Sequence, residues 1–298
     1  MYDMIVIGGG PAGVAAAIYG KSRGKNVLVL EKNKVGGLIG SVSTVTHYPG
    51  IVEEETGATF AARLKKQAES SGIPFQYEEV TQVDLEKSPK TIQTNKNTYE
   101  AKAVVIANGG SGRMLGIPGE TLKGMRLNAP RDGEAYKGKN VYVIGGADGA
   151  VKEALYLSKL AKEVMLVCVE DELACIPEFK EKALHTPNLK IMPHSSLVEV
   201  LGDGKVEELV FQDNQTNEKT HVKDDQAGVF VYAGIVPNTN VFPQLDKDEA
   251  GYIVTDEQME TSIPNVFAAG DIRSKKIRQV ATAAADGAIA GIQAASRI

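Results

Sequence analysis

The chain has 298 residues, 43% of them hydrophobic and 24% charged, which is ordinary globular usage and enough for about two domains of ~150 residues each. A net charge of −5 carries no basic excess and argues against nucleic acid or an anionic membrane surface as partner. Two cysteines cannot build a disulfide framework, no basic segment leads into the first apolar run, and the Ala/Gly-rich stretch Ala281–Ala295 is interrupted by Asp286, so a cytoplasmic protein with no membrane span is expected. In chain order, Met4–Ile7 is a short apolar strand that ends in Gly8-Gly9-Gly10-Pro11-Ala12-Gly13, and Val14–Lys21 follows as an Ala-rich helix. A buried strand, Val27–Leu30, closes on Glu31. Thr59–Ser70 is helical, and strand signals follow near Phe75–Val83, Thr91–Thr94 and Ala103–Ala107 before the turn-rich Gly109–Gly112. The opening pattern then repeats about 137 residues on. Val141–Ile144 runs into Gly145-Gly146-Ala147-Asp148-Gly149-Ala150, a helix is expected over Val151–Lys162, and a strand over Val164–Val169. Further strands are expected near Ser196–Leu201, Val206–Gln212 and Val229–Tyr232, with a loop at Val236–Asn238. A last strand, Val266–Ala269, stops at Gly270-Asp271, and a terminal helix starts near Gln279.

Two βαβ units predict an α/β protein of two Rossmann-like nucleotide-binding domains, the second inserted into the first: residues 1–111 with 238–298, and 112–237. In the first unit Gly8 permits a tight turn, Gly10 lets backbone approach a pyrophosphate, and Gly13 lets helix pack on strand. Glu31 lies 23 residues after Gly8, at the end of the next strand, where a carboxylate accepts hydrogen bonds from ribose hydroxyls.

Several segments carry a resemblance. Ile5–Gly13, Val35-Gly36-Gly37, His47-Tyr48-Pro49-Gly50, Gly116–Glu120, Thr261–Asp271 and Arg278–Thr282 are similar to the low-molecular-weight thioredoxin reductases, over essentially the whole chain. The resemblance implies FAD in the first domain, held by Gly8, Gly10, Pro11, Ala12, Gly13, Glu31, Lys32, Gly37, Leu38, His47, Val80, Asn108, Gly109, Gly270, Asp271, Arg278, Gln279 and Val280. It implies that the Gly270-Asp271 turn holds the ribityl and phosphate portion. It also implies that the terminal helix presents its positive end to the flavin ring, where negative charge develops on reduction. His47 stands where the family has Asn, and Asn108 where it has Thr; both keep polar character. A homodimer is implied, with ferredoxin or another electron-transfer protein as a further partner.

The second unit departs from the family pattern. Ala147 replaces the middle glycine, and the His-Arg-Arg segment that clamps the NADPH 2′-phosphate reads Cys168-Val169-Glu170, with Ala174 at the further Arg. NADPH is therefore not expected as donor. NADH stays open: the first domain's spacing puts the ribose acid at Cys168, and Glu170 comes two residues late. The alternative is a domain that no longer binds pyridine nucleotide. The family's Cys-x-x-Cys-Asp-Gly reads Asn128-Ala129-Pro130-Arg131-Asp132-Gly133, so a thiolate carrier to thioredoxin is not expected. Cys168 and Cys175 read as incidental cysteines, and His47, His185, His194 and His221 show no metal-ligand spacing. No catalytic residue is assigned. The composite expectation is an FAD oxidoreductase fed by ferredoxin, a flavoprotein or NADH; the alternative is a non-catalytic flavin-binding regulator, sensor or scaffold.

Overall fold

The computed structural model describes residues 1–298. The chain divides into two compact units, the first comprising Met1–Gly40, Val45–Ser111 and Val236–Ile298, the second Ser41–Thr44 and Gly112–Ile235.

In the first unit the strands run in the order Phe75–Tyr77, Val27–Glu31, Tyr2–Ile7, Thr98–Ile106, Lys90–Thr94, Val80–Asp84, and Val266–Ala268 also pairs with Thr98–Ile106. Tyr2–Ile7 is parallel to both neighbours, with Ile5 opposite Leu28 on one side and Val104 on the other. Alternation sorts its side chains to two faces. Met4 and Val6 join one core with Val27, Val29 and Ala290, whereas Ile5 and Ile7 join another with Leu28, Leu30 and Phe242. The first helix, Pro11–Lys21, and the terminal helix, Val280–Ser296, cross at backbone contact. A Cβ at Gly287 would stand 2.0 Å from Ala12 O and one at Gly291 2.4 Å from Ala16 O. Two glycines cost the terminal helix about 1 kcal/mol each in propensity. The close approach they permit fixes the first helix beneath its glycine turn.

The second unit holds a five-stranded parallel sheet in the order Leu189–Met192, Glu163–Val167, Asn140–Ile144, Gly228–Val231, Met125–Arg126. A three-stranded antiparallel sheet, Ser195–Leu201, Glu208–Asp213 and Lys219–Lys223, accompanies it.

Several expected boundaries move. The helix expected at Val151–Lys162 spans Asp148–Leu157, starting where Asp148 suits the positive end and closing in turns at Ser158–Leu160. The strand expected to reach Val169 ends at Val167. A helix at Pro177–Leu184 and a strand at Leu189–Met192 complete a βαβ crossover beyond the expected elements; its signals are Pro177 in the first turn and Phe179 with Ala183 buried four residues apart. Ser41–Thr44, assigned from sequence to the first domain, belongs with the second unit, because Ser43 N–H donates to Glu153 Oε1 (2.9 Å) and Lys152 Nζ to Thr44 O (2.9 Å). The return to the first unit falls at Val236 rather than 238, with Pro237 packed toward the Gly251 turn.

Candidate functional site

The first glycine turn lies at the carboxyl end of Tyr2–Ile7, where the sheet order reverses between Val27–Glu31 and Thr98–Ile106; such a crevice is where open α/β sheets bind ligands. Its glycines serve different ends. Gly8 has φ +104°, and a Cβ there would stand 2.5 Å from Ala107 O. A Cβ at Gly13 would stand 1.9 Å from Gly8 O. Both glycines are thus required by the fold. Gly10, the N-cap of the first helix, has φ −75° and ψ −178°, backbone open to any residue, and a Cβ there meets nothing nearer than Gly36 O at 3.9 Å. Nothing in the protein itself demands glycine at position 10. Glu31 is buried against the turn, its Oε2 accepting Gly9 N–H (2.7 Å) and its Oε1 accepting Asn33 N–H (2.8 Å). A carboxylate offers about four lone-pair sites, so two stay available to hydroxyl donors.

The rest of the crevice comes from sequence-distant segments. Gly270 (φ +82°) packs on Ala12, where a Cβ would meet Ala12 Cβ at 2.8 Å, and its N–H donates to Asp286 Oδ2 (3.1 Å). Arg273 Nη1 (3.0 Å) and Lys275 Nζ (2.9 Å) neutralise Asp286. Asp271 follows directly. Its Oδ1 is buried without a hydrogen bond, Lys275 Nζ standing off at 3.8 Å. Desolvation raises the Asp271 carboxyl above the usual carboxylate range, against the pull of Lys275 and Arg278. Asn108 and Asn238 clasp each other, each side-chain amide donating to the other's backbone carbonyl at 2.9 Å, which leaves Asn108 Oδ1 buried and unpaired. Arg278 stacks on the Tyr252 ring, 3.8 Å from its centroid, with Nε buried and unpaired. Gln279 is the N-cap of the terminal helix, its N–H donating to Thr282 Oγ1 (3.1 Å), and Val280 is the helix's first residue. Two acceptors and a donor, all desolvated and unsatisfied, are costly unless a ligand meets them.

The other sequence-selected residues spread around this frame. Gly37 (φ +60°) sits over the turn, where its Cβ would be 3.5 Å from Gly10 Cα. Leu38 is exposed on the short helical turn Gly37–Ser41, and Lys32 is exposed 3.9 Å from Glu79. Val80 opens its strand half-buried, and Gly109 (φ +56°) follows Asn108. His47 is exposed with Nδ1 2.9 Å from Thr46 Oγ1.

The second unit repeats the turn. Gly145 has φ +137° and a Cβ there would stand 2.5 Å from Tyr232 O, as Gly8 meets Ala107 O. Ala147 occupies the N-cap with φ −86° and ψ 174°, within about 11° of Gly10, so the methyl leaves the turn unchanged. Beside it, Asn128 Oδ1 caps the short helix Ala129–Asp132 by accepting Arg131 N–H (2.9 Å), Tyr232 Oη accepts Ala129 N–H (2.9 Å), and Arg131 grips Asp132 in a two-point pair (2.8 and 2.7 Å). Arg131 and Asp132 also line a cavity of about 710 Å³ with Lys123, Arg126, Met114 and Leu127. Cys168 is buried, its thiol pushed up by burial and then by Glu170; burial likewise pushes up Cys175. Neither favours a thiolate.

The fold and the paired glycine turns define a two-domain dinucleotide-binding oxidoreductase, and residues 2–287 match the pyridine nucleotide-disulphide oxidoreductase family, to which the chain belongs. Within that family it is thioredoxin reductase-like and FAD-dependent. It is 42% identical to the thioredoxin reductase of Peptoclostridium acidaminophilum, over 99% of this chain and 96% of that protein. Among solved structures it is similar to the thioredoxin reductase of Lactococcus lactis (TM-score 0.95, 33% identity, all of both chains) and to a ferredoxin-flavin thioredoxin reductase of Clostridium acetobutylicum (TM-score 0.55, 30% identity, 99% of this chain and 97% of that one). The first unit fits FAD: the open space at Gly10 suits a pyrophosphate, Glu31 a ribose, and the unpaired Asn108, Asp271 and Arg278 atoms a polyhydroxy chain and a polar ring. No helix is long and apolar enough to cross a membrane, and no three His, Cys, Asp or Glu side chains converge on a metal site.

Proposed function

We propose that this chain is an FAD-dependent oxidoreductase that receives electrons from a donor other than NADPH and passes them on without a protein dithiol. One observation carries the reading. The chain's only cysteines are Cys168 and Cys175, both with raised thiol pKa, while position 128 caps a helix turn and position 131 is tied to Asp132. No cysteine pair stands ready to accept electrons as a disulfide and hand them to thioredoxin as a dithiol.

Bound FAD would supply one- and two-electron transfer. The protein's part would be to hold it: Gly8 and Gly13 shape the turn, Glu31 would orient a ribose, and the unpaired Asp271 and Asn108 oxygens would accept hydrogen bonds from hydroxyls of the cofactor. Arg278, stacked on Tyr252, would donate through its unpaired Nε. On the donor side, Cys168, Val169 and Ala174 offer no cation to a 2′-phosphate, and Glu170 repels one. The remaining donors are NADH, ferredoxin or another flavoprotein. The chain is proposed to act as a homodimer. Light scattering at micromolar concentration should return twice the 31.8 kDa chain mass, and the monomer mass would refute it.

The test of the function is photoreduction of the purified yellow protein, followed by anaerobic mixing with oxidised ferredoxin or a quinone and, separately, with oxygen. Rapid reoxidation by at least one electron-transfer acceptor supports an oxidoreductase. Slow reoxidation by every acceptor would identify the flavin as structural or sensory.

A further inference from the structure

We infer that Glu170 makes the second unit an NADH site: its carboxylate takes the place at the second glycine turn that Glu31 takes at the first, accepting the adenosine 2′-hydroxyl and rejecting a 2′-phosphate. This rests on the reading of the chain as a flavin-dependent oxidoreductase with a donor other than NADPH, and names that donor.

The two turns can be measured against each other. At the first, a Cβ built on Gly9 lies 3.2 Å from Glu31 Oε2; at the second, a Cβ built on Gly146 lies 3.2 Å from Glu170 Oε2. Spacing alone hides this equivalence, because the acid follows its glycine by 22 residues in the first unit and by 24 in the second. The structure accounts for the two extra residues. Strand Glu163–Val167 ends early, and Cys168 tucks its Cβ under Gly146, 2.8 Å from where a Gly146 Cβ would stand. The chain then bends at Val169-Glu170, held by Cys168 Sγ to Glu170 O (3.7 Å) and by His194 N–H to Glu170 O (3.2 Å). That bend returns the Glu170 carboxylate to the turn. Whereas both Glu31 oxygens accept backbone N–H groups, no hydrogen bond is donated to the Glu170 carboxylate, and the residue is exposed. An acceptor-only group with all its lone pairs uncommitted, over a glycine turn that opens a ten-residue helix, is the group that recognises a ribose diol. The same charge placed against a dianionic 2′-phosphate repels it. Ala147 does not alter this discrimination: its methyl lies at the pyrophosphate side of the turn, shared by both nucleotides, and its backbone matches that of Gly10.

The test is isothermal titration of the flavin-loaded protein with NAD⁺ and NADP⁺, which reads binding without turnover. NAD⁺ should bind about 10- to 100-fold tighter than NADP⁺, the range expected for gaining one charge-assisted hydrogen bond. Glu170→Gln, which keeps an acceptor oxygen without the charge, should hold NAD⁺ within a few-fold and tighten NADP⁺. Glu170→Arg should reverse the preference. Ala147→Gly should tighten both nucleotides by the same factor, leaving their ratio fixed. Equal affinity for the two nucleotides, binding of neither, or a ratio indifferent to Glu170→Arg would overturn the inference. The flavin content of the same sample reads the broader proposal separately: full flavin with no nucleotide binding sinks the NADH site alone, and turns the donor toward an electron-transfer protein.

Discussion

Replacing Gly10 by Val separates what the fold needs from what the ligand needs. At Gly10 the backbone is extended and the nearest atom to a new Cβ is Gly36 O at 3.9 Å, so the variant should fold. The cost to the flavin-free protein is that of a poorer N-cap, about 0.5–1 kcal/mol, or about 1–4 °C in Tm. With FAD the two proteins should diverge. Ligand present at about 100 times its Kd stabilises the wild type by about 2.7 kcal/mol, and a Val side chain standing where pyrophosphate must approach removes all of it. Gly13→Ala is the contrasting case. Its Cβ would meet Gly8 O at 1.9 Å, so the helix must move off the turn, and the flavin-free protein itself should be strongly destabilised. The assay is paired: visible flavin absorbance per chain after purification, and thermal melts with and without added FAD. A folded Gly10→Val protein carrying full flavin would refute the assignment of the turn. A Gly10→Val protein that fails to fold without FAD would refute the claim that only the ligand requires this glycine.

Glu153 is buried beside Ser43 with Oε2 unpaired, and desolvation raises its carboxyl above the ordinary value near 4.5, against Ser43 N–H and Lys152. Because the folded state binds this proton more tightly than the unfolded state, stability is fullest below the unfolded pKa and is lost as pH rises through the raised folded pKa. Glu153→Gln should flatten the fall in Tm above pH ~4.5, and an unchanged pH slope would contradict the burial argument. Asn128→Cys with Arg131→Cys, oxidised to the disulfide, should give a bond that the photoreduced flavin reduces to two thiols, seen as new thiols by labelling, while NADPH stays a poor donor. A variant whose disulfide the reduced flavin leaves intact would show that sulfur at these two positions is not enough for dithiol exchange.

Most of the architecture is legible in the sequence because glycine turns announce themselves locally. Gly8, Gly13 and Gly145 are needed by the backbone at contact distances of 1.9 to 2.5 Å, so strand, turn and helix appear in order. Glu31 is legible for the same reason, lying one strand away at a regular spacing. Asn108, Asp271 and Arg278 are reached only through the resemblance, and their partners not at all. Asn238, the clasp of Asn108, lies 130 residues from it, and Tyr252, under Arg278, carries no local signal for its role. Glu170 is missed by a spacing rule because the strand before it ends two residues early and the chain bends back, a consequence of how Cys168 packs under Gly146. The crossover Pro177–Leu184 to Leu189–Met192 hides behind a charged surface, with only Phe179 and Ala183 marking its buried side.

The most direct measurement of the central claim is anaerobic stopped-flow of the flavin-loaded protein against NADPH, coupled to thioredoxin reduction. Without a cation at Cys168, Val169, Glu170 or Ala174 to grip the 2′-phosphate, NADPH should bleach the flavin slowly, and far more slowly than NADH at the same concentration. With Asn128 and Arg131 unable to form a disulfide, thioredoxin should stay oxidised whichever donor is used. Rapid NADPH-driven reduction of thioredoxin by the unmodified protein would contradict both halves of the account at once.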